Sequence, residues 1–147
     1  MADISIRNAD PADVSRVRDV IRLAYANWAD RLPDLPDVSG GVEDEIAAGR
    51  VWVATEGRGI VGCLIGGVDD GVWHVANVAV APDHVSKGCG SALMQHAVEL
   101  ARRAGVGQMA LATHVDMARN VVMYERLGWE VSNRDGNRIM MHRDTDA

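Results

Sequence analysis

The feature of this sequence that most constrains its fold is the run VWHVANVAV at residues 72–80. The run is nearly all apolar and rich in β-branched residues, which is typical of a strand covered on both faces. Such a strand needs a sheet with packing elements on each side of it. The sequence therefore predicts a layered α/β fold in which residues 72–80 form a central strand.

The segment that precedes this run predicts strands and helices in turn. Residues 3–7 alternate as a strand does, and DPAD at residues 10–13 predicts a capped helix start. That helix is expected to run to about Ala29. Prolines and glycines predict a loop at 31–41, and a short helix follows at 42–48.

The remaining elements follow from periodicity and from turn signals. The predicted strands lie at 51–56, 60–67, 108–115, 129–132 and 138–142, and the predicted helices run from Gly88 to about Arg103 and from Met117 to Leu127. The order β-α-α-β-β-β-α-β-α-β-β predicts one α/β (α+β) domain over residues 1–147. We expect a mixed, mostly antiparallel sheet of about seven strands, with four helices on both faces.

Charge and cysteine content indicate which binding partners and which location to expect. The net charge is −6, the pI is near 5.2, and the Lys and Arg residues are scattered along the chain. This pattern disfavours a nucleic-acid partner and suits a cationic small molecule or peptide amine. Two cysteines, Cys63 and Cys89, are too few for a disulfide framework, and no apolar run is long enough to span a bilayer. No signal-like segment is seen, so we expect a cytoplasmic protein with no membrane partner.

A glycine pair in the segment VAVAPDHVSKGCGSAL, residues 78–93, predicts an anion site. Gly88 and Gly90 open a helix whose first N–H groups lack partners, and Lys87 adds a cation. The alternative is that these glycines only shape a turn. A dinucleotide fingerprint does not fit, because the third glycine is replaced by Leu93, and the sequence contains no G-x-x-x-x-G-K-[ST] loop.

The order of motifs along the chain resembles that of the GNAT-type N-acetyltransferases. The strand VANVAV, the x-x-K-G-x-G-S-A-L loop and helix, and the segment from Asn120 through Tyr124-Glu125-Arg126-Leu127-Gly128-Trp129 carry the resemblance. It spans residues 3–143 and is closest to small members of the family with unassigned substrates. The chain departs from the family's usual loop, because Val85 stands at the Gln/Arg position and Ser86 where glycine is common.

The resemblance implies acetyl-CoA as the cofactor and the GNAT fold. Loop amides would hold its pyrophosphate, and the strand residues would lie beside its pantetheine. Tyr124 would be the catalytic residue and donate a proton to the departing thiolate. The residues assigned to cofactor binding are Val78, Ala79, Val80, Val85, Ser86, Lys87, Gly88, Cys89, Gly90, Ser91 and Asn120. For Cys89 the sequence favours a small buried residue over a nucleophile, and hence direct transfer in a ternary complex.

The proton acceptor for the amine is left open between His74, His114, Asp116 and an ordered water. The histidines show no metal-ligand spacing, so no metal is expected. An acceptor pocket is expected from the first helix, the 31–41 loop and the last hairpin, with Tyr25, Trp28, Asp34 and Asp37 as candidate lining residues. Two other functions stay open, a non-catalytic acyl-CoA-binding module and a nucleotide-binding protein. The oligomeric state is also left open, and a homodimer is possible at this point.

Overall fold

The computed structural model describes residues 4–29, 41–57, 59–84, 88–114 and 118–145. Its strands are β1 (Ile4–Asn8), β2 (Val51–Glu56), β3 (Gly59–Asp69), β4 (Val72–Val80), β5 (Gln108–His114), β6 (Glu130–Asp135) and β7 (Arg138–Asp144). Its helices are α1 (Val14–Ala29), α2 (Val42–Ala47), α3 (Cys89–Arg103) and α4 (Ala118–Arg126), with short 3-10 turns at Pro11–Asp13 and Pro82–His84. The predicted element order is confirmed.

The strands form one seven-stranded sheet in the order β1-β2-β3-β4-β5-β7-β6. Strand β4 is the central one, as predicted, and its pairing with β5 is parallel from Trp73↔Met109 to Val75↔Leu111. The β1–β2, β2–β3, β5–β7 and β6–β7 pairs are antiparallel. The expectation of full cover on both faces of β4 is wrong in part, because buried residues alternate with half-buried ones and Ala76 is exposed.

Two compact units are interleaved along the chain. The first comprises Met1–Ile65 and Asn77–Leu93, and the second comprises Gly66–Ala76 and Met94–Ala147. The first unit has an apolar core formed by α1, α2 and the strands β2 to β4. The core residues are Val17, Val20, Ile21, Val42, Ile46, Val51, Val53, Ile60, Cys63, Ile65 and Ala79.

The segment before α1 forms the side-chain cap that the sequence predicts. Asp10 Oδ1 accepts a hydrogen bond from the Ala12 amide at 2.8 Å, and Asp13 Oδ2 accepts one from the Asp10 amide at 2.9 Å. Arg7 donates to Asp13 from the preceding strand at 2.7 Å. The first turn is 3-10 and not α-helical, and the helix starts there with its amides satisfied by nearby carboxylates.

In the second unit, the buried hydrophobic residues come from α3, α4, the strands and the turn after α4. They are Trp73, Val75, Met94, Ala97, Val98, Ala101, Met109, Leu111, Tyr124, Trp129, Ile139 and Met141. Helix α4 ends at a left-handed glycine, Gly128, with φ +93°. The Arg143 guanidinium donates to the Leu127 carbonyl at 2.6 Å and so ties β7 to the end of that helix.

The last hairpin is tighter than predicted. A five-residue turn was expected over 133–137, whereas the strands continue until Asp135 pairs with Arg138. Gly136 at φ +60° permits a two-residue turn of the hairpin type, so the polar residues before it remain in the strand. The turn between β3 and β4 is also two residues long, with Asp70 and Gly71 both at positive φ. Among the described helices, none has the length and apolarity required to cross a membrane.

Candidate functional site

The start of α3, in the first unit, has features that favour binding of an anion. Within the described residues, the first helical hydrogen bond of α3 runs from the Ala92 amide to the Gly88 carbonyl at 3.0 Å, so the amides of Cys89, Gly90 and Ser91 lie at the start of that ladder. Gly88 has φ +83°, and no atom of the described residues lies within 4 Å of the position that a Cβ would take there. The first turn carries no acidic residue. Within the described residues, these features favour an anion at the helix start, and the negative charge of Glu56, which acts on Cys89, opposes one.

Of the loop residues that the sequence predicts for this site, Val85, Ser86 and Lys87 lie outside the described part of the chain. Cys89 is buried at 1% exposure. Burial, and after it the negative charge of Glu56, raises the pKa of the Cys89 thiol. A protonated, buried thiol fits the apolar interpretation of Cys89 and does not provide the thiolate that a nucleophilic role would need.

Beside this helix start lies a contact between His84 and Glu56 that sequence reasoning missed. His84 Nε2 is 3.4 Å from Glu56 Oε2, and His84 Nδ1 is buried with no hydrogen-bond partner among the described residues. The His84 amide donates to Ala81 at 2.8 Å, and the Ala81 amide donates to Val61 at 2.8 Å, which attaches this turn to β3. The two side chains come from distant segments, so no local sequence signal could have found the pair.

The predicted pantetheine segment, Val78, Ala79 and Val80, lies on the part of β4 that belongs to the first unit. Ala79 is buried, and its two neighbours are half-buried. On β3, Gly62 lies against both Ala79 and Cys89 because it has no side chain. Gly62 had no assigned role at the level of sequence, although a glycine inside a strand is a known signal of close backbone approach.

The catalytic candidate Tyr124 lies in the second unit, on α4. It is 7% exposed, and its ring centroid is 6.4 Å from that of Trp129 at an interplanar angle of 54°. The Trp129 amide donates to the Tyr124 carbonyl at 3.0 Å. Trp129 Nε1 is buried and has no hydrogen-bond partner within the described ranges. Asn120 is half-buried one helical turn before Tyr124.

The candidate proton acceptors are only partly described. His74 is half-buried in the second unit, on β4, and pairs with Ala110. The backbone of His114 pairs with Arg138, whereas the His114 side chain and all of Asp116 lie outside the described residues. The predicted acceptor-pocket residues lie outside them too, namely the Tyr25 and Trp28 side chains, Asp34 and Asp37. In the part of the chain that is described, no group of three or more His, Cys, Asp or Glu residues could hold a metal ion.

Comparison with known proteins gives consistent results. The acetyltransferase (GNAT) domain family matches residues 47–131. Streptothricin acetyltransferase of Streptomyces lavendulae is 33% identical over 105 residues, which are 67% of the chain and 54% of that relative. The chain thus spans about half the length of this curated relative.

Two solved structures show the same fold over nearly the whole chain. The PaiA N-acetyltransferase from Thermoplasma acidophilum in complex with coenzyme A has a TM-score of 0.85 and 16% identity, covering 97% of this chain and 99% of that one. The ribosomal-protein-S18-alanine N-acetyltransferase from Escherichia coli has a TM-score of 0.77 and 21% identity, covering 97% and 94% respectively. At these identities the two structures establish the fold alone.

Proposed function

The chain belongs to the acetyltransferase (GNAT) domain family, and we propose that it is an acetyl-CoA-dependent N-acetyltransferase acting on a primary amine of a small molecule or peptide. The observation that carries this proposal is the start of α3. Its first turn has no acidic residue, and among the described residues no atom lies within 4 Å of the Gly88 Cβ position. The proposal further takes residues 1–147 as one catalytic domain and the cytoplasm as its location.

The described residues fit the phosphate portion of coenzyme A. The amides of Gly88, Cys89, Gly90 and Ser91 would donate to the pyrophosphate oxygens, and the Gly88 position would admit them without a Cβ in the way. Arg102 and Arg103 in the last turn of α3 complement the opposite end of the helix dipole. Val85 offers no side-chain donor, so main-chain amides would provide most of the binding.

The backbone of Val78, Ala79 and Val80 would pair with the coenzyme's amides as an added strand does. These residues come after Val75, which is the last β4 residue that pairs with β5 in the described part of the chain. When bound, acetyl-CoA supplies the acetyl group as a thioester, whose carbonyl carbon the amine attacks and whose sulfur leaves as a thiolate. The reaction therefore requires two proton transfers, one from the amine and one to the departing sulfur.

An amine acceptor must lose a proton before it attacks, and a side chain or water must accept that proton. His74, His114, Asp116 and an ordered water remain the candidates. The departing sulfur must gain a proton, and the proposed donor is the Tyr124 hydroxyl. A phenol with an ordinary pKa of about 10 is protonated at neutral pH and can donate in this way.

The role of Tyr124 is tested by Tyr124→Phe, which removes the hydroxyl and keeps the ring. We expect kcat to fall by roughly 10²–10⁴, the usual yield of a positioned acid, while the Kd of coenzyme A stays nearly unchanged. Trp129→Phe is the matched control, because it disturbs the same aromatic pair and keeps the hydroxyl. A similar loss of kcat in both variants would assign the effect to packing and remove Tyr124 from the chemistry.

The acceptor is proposed to be a primary amine. The streptothricin acetyltransferase relative makes a streptothricin-type antibiotic the first small molecule to test, with a polyamine, an amino acid and a peptide with a free N-terminus as the other classes. Acetylation of each would be measured as release of free thiol from acetyl-CoA. If only the peptide is acetylated, the proposed acceptor would be a polypeptide and not a small molecule.

A non-catalytic acyl-CoA-binding module is the second candidate, and Val85 favours it because the family's usual loop has a Gln or Arg there. Thermal unfolding with acetyl-CoA, coenzyme A, ATP and NAD separates the candidates. A ligand at 100 times its Kd adds about 2.7 kcal/mol, or roughly 5–10 °C in Tm. A shift with acetyl-CoA but no turnover on any amine supports the module, and a shift with ATP or NAD instead supports a nucleotide-binding protein. No shift with any of these ligands would overturn the proposed coenzyme site.

A further inference from the structure

Gly62 lies in the interior of β3 and touches two other elements of the first unit. A Cβ built on Gly62 would be 2.9 Å from Cys89 Sγ, 3.1 Å from the Ala79 carbonyl oxygen and 3.1 Å from Leu93 Cδ1. The first distance is shorter than real Cβ atoms allow, and the other two are tighter than most real contacts. Only glycine therefore fits at this position without movement of its neighbours.

The neighbours of Gly62 have little room to move. Cys89, Ala79 and Leu93 are buried at 1%, 2% and 0% exposure. The Ala79 oxygen belongs to the backbone of β4, and Cys89 has a short side chain fixed to the first turn of α3. Close-packed interiors transmit such a displacement instead of absorbing it. An added methyl group would therefore press on the Cys89 side chain at the helix start and on the Ala79 carbonyl of β4.

Strand β3 also has no room to move away from α3 on its opposite face. Side chains of successive strand residues point to opposite faces, so Cys63 points away from α3. Cys63 is fully buried in the core cluster that includes Val17 and Val20 of α1. Burial raises the pKa of the Cys63 thiol to about 12, as expected for a packed, apolar environment. The strand cannot retreat from α3 without disturbing this core.

We infer that Gly62 is a positioning residue for coenzyme A, an inference that rests on the proposed function. Because Gly62 has no side chain, the first turn of α3 can pack close to β3 and β4. Gly62 therefore sets the distance between this turn and the two strands. Cys89 stands between the two glycines of the proposed phosphate site, and Ala79 belongs to the proposed pantetheine segment. A methyl group at position 62 would move both parts of the proposed coenzyme site away from their common spacing.

The chain offers a matched control on the same strand. A Cβ on Gly66 would be 2.5 Å from the His74 carbonyl oxygen and 2.6 Å from the Trp73 ring, so Gly66 is at least as crowded as Gly62. Those contacts involve no residue of the proposed coenzyme site. Gly66→Ala therefore imposes a comparable packing defect without a direct effect on the start of α3.

The experiment measures the Kd of coenzyme A by calorimetry, with Tm recorded for each variant. The wild-type protein is measured first. We expect Gly62→Ala to weaken binding at least about tenfold, because the two parts of the proposed coenzyme site would no longer match the ligand together. Gly66→Ala should lower Tm by as much or more and keep the Kd within about twofold of wild type.

A rescue variant separates positioning from a general packing defect. Cys89→Ala removes the sulfur atom that a Cβ at position 62 would strike. The loss of affinity caused by Gly62→Ala should therefore be smaller in the Cys89→Ala background than in the wild-type background. If Gly62→Ala alone does not fold, Gly62→Ala/Cys89→Ala is compared with Cys89→Ala, and the double variant should still bind more weakly.

Three results would overturn the inference. One is a folded Gly62→Ala variant with wild-type affinity, and another is an equal loss in the two Cys89 backgrounds. The third is an equal loss of affinity in Gly62→Ala and Gly66→Ala, because it would mean that packing defects anywhere on β3 impair the site. A wild-type protein that binds no coenzyme A would instead sink the proposed function, and the inference with it.

Discussion

The first unit contains two helix starts that solve the same physical problem in opposite ways. At the start of α1, the Asp10 and Asp13 carboxylates accept hydrogen bonds from the first amides, and Arg7 pairs with Asp13. At the start of α3, the first turn has no acidic residue, and no described atom lies within 4 Å of the Gly88 Cβ position. The start of α1 completes its own hydrogen bonds, whereas the start of α3 is the proposed site for an anion.

This difference gives a physical reason why Val85 and Ser86, which differ from the family's usual loop residues, would be compatible with the proposed site. A site formed by main-chain amides depends on small residues and on spacing more than on any single side chain. It should therefore withstand the loss of a polar side chain but not the addition of a methyl group or a negative charge. The following predictions test that contrast, starting with the largest effect.

The strongest test gives α3 the acidic start of α1. Ser91 is the third residue of its helix, as Asp13 is the third residue of its turn. Ser91→Asp should weaken coenzyme A binding by roughly 100-fold, because like charges brought together cost several kcal/mol. It should not lower Tm, since an acid favours a helix start. Gln95→Asp, which adds the same charge at an exposed position one turn later, is the control for net charge in the calorimetric titration. Equal weakening by both variants would contradict a local site.

A smaller effect is expected from a methyl group at the open glycine. Gly88→Ala and Gly105→Ala share the same strain, because both glycines have positive φ, +83° and +74°, and neither has an atom of the described chain within 4 Å of its Cβ position. Each should lose about 1–2 kcal/mol of stability, the cost of left-handed backbone for a residue with a Cβ. Only Gly88→Ala should also weaken coenzyme A binding, by roughly tenfold or more. Equal affinity in the two variants would show that Gly88 serves the turn and not a ligand.

The reverse change removes the cap from α1. Asp10→Ala deletes the side chain that accepts from the Ala12 amide. Loss of such a cap costs about 1 kcal/mol of unfolding free energy, within a range of about 0.5–2. The Kd of coenzyme A should not change. Urea denaturation measures the first quantity, with the exposed Asp19→Ala on the same helix as the control. An Asp10→Ala variant that binds coenzyme A more weakly would show that the two helix starts are not independent.

The smallest effect is the pH dependence of the Arg7–Asp13 pair. The hydrogen bond from Arg7 lowers the pKa of Asp13 below its ordinary value. The stability that this pair contributes is therefore present above the unfolded-state pKa of about 3.9 and is lost as the pH falls through the lowered folded-state pKa. Because water screens the pair, Arg7→Ala should reduce the unfolding free energy at pH 7 by less than about 1 kcal/mol. A difference between wild type and variant that stays the same at acid pH would rule out this ion pair as its source.

Local rules made much of the fold predictable. The cap at residues 10–13, the glycines that end α3 and α4, and the apolar, β-branched runs of β2 to β4 each depend on a few neighbouring residues. The same rules pointed to Gly88 and Gly90. They gave the wrong length for the last turn, because strand pairing of Asp135 with Arg138 outweighed the turn preference of the polar residues before it.

The sequence by itself determined the order of elements, the chemistry of each helix start and the family resemblance. Only the tertiary structure decided that β7 lies between β5 and β6, that His84 meets Glu56, and that Gly62 meets Cys89 and Ala79. The physical reason is the range of the forces involved. Capping and backbone strain act within one turn of chain, whereas packing and strand pairing join residues that are neighbours only after the chain has folded.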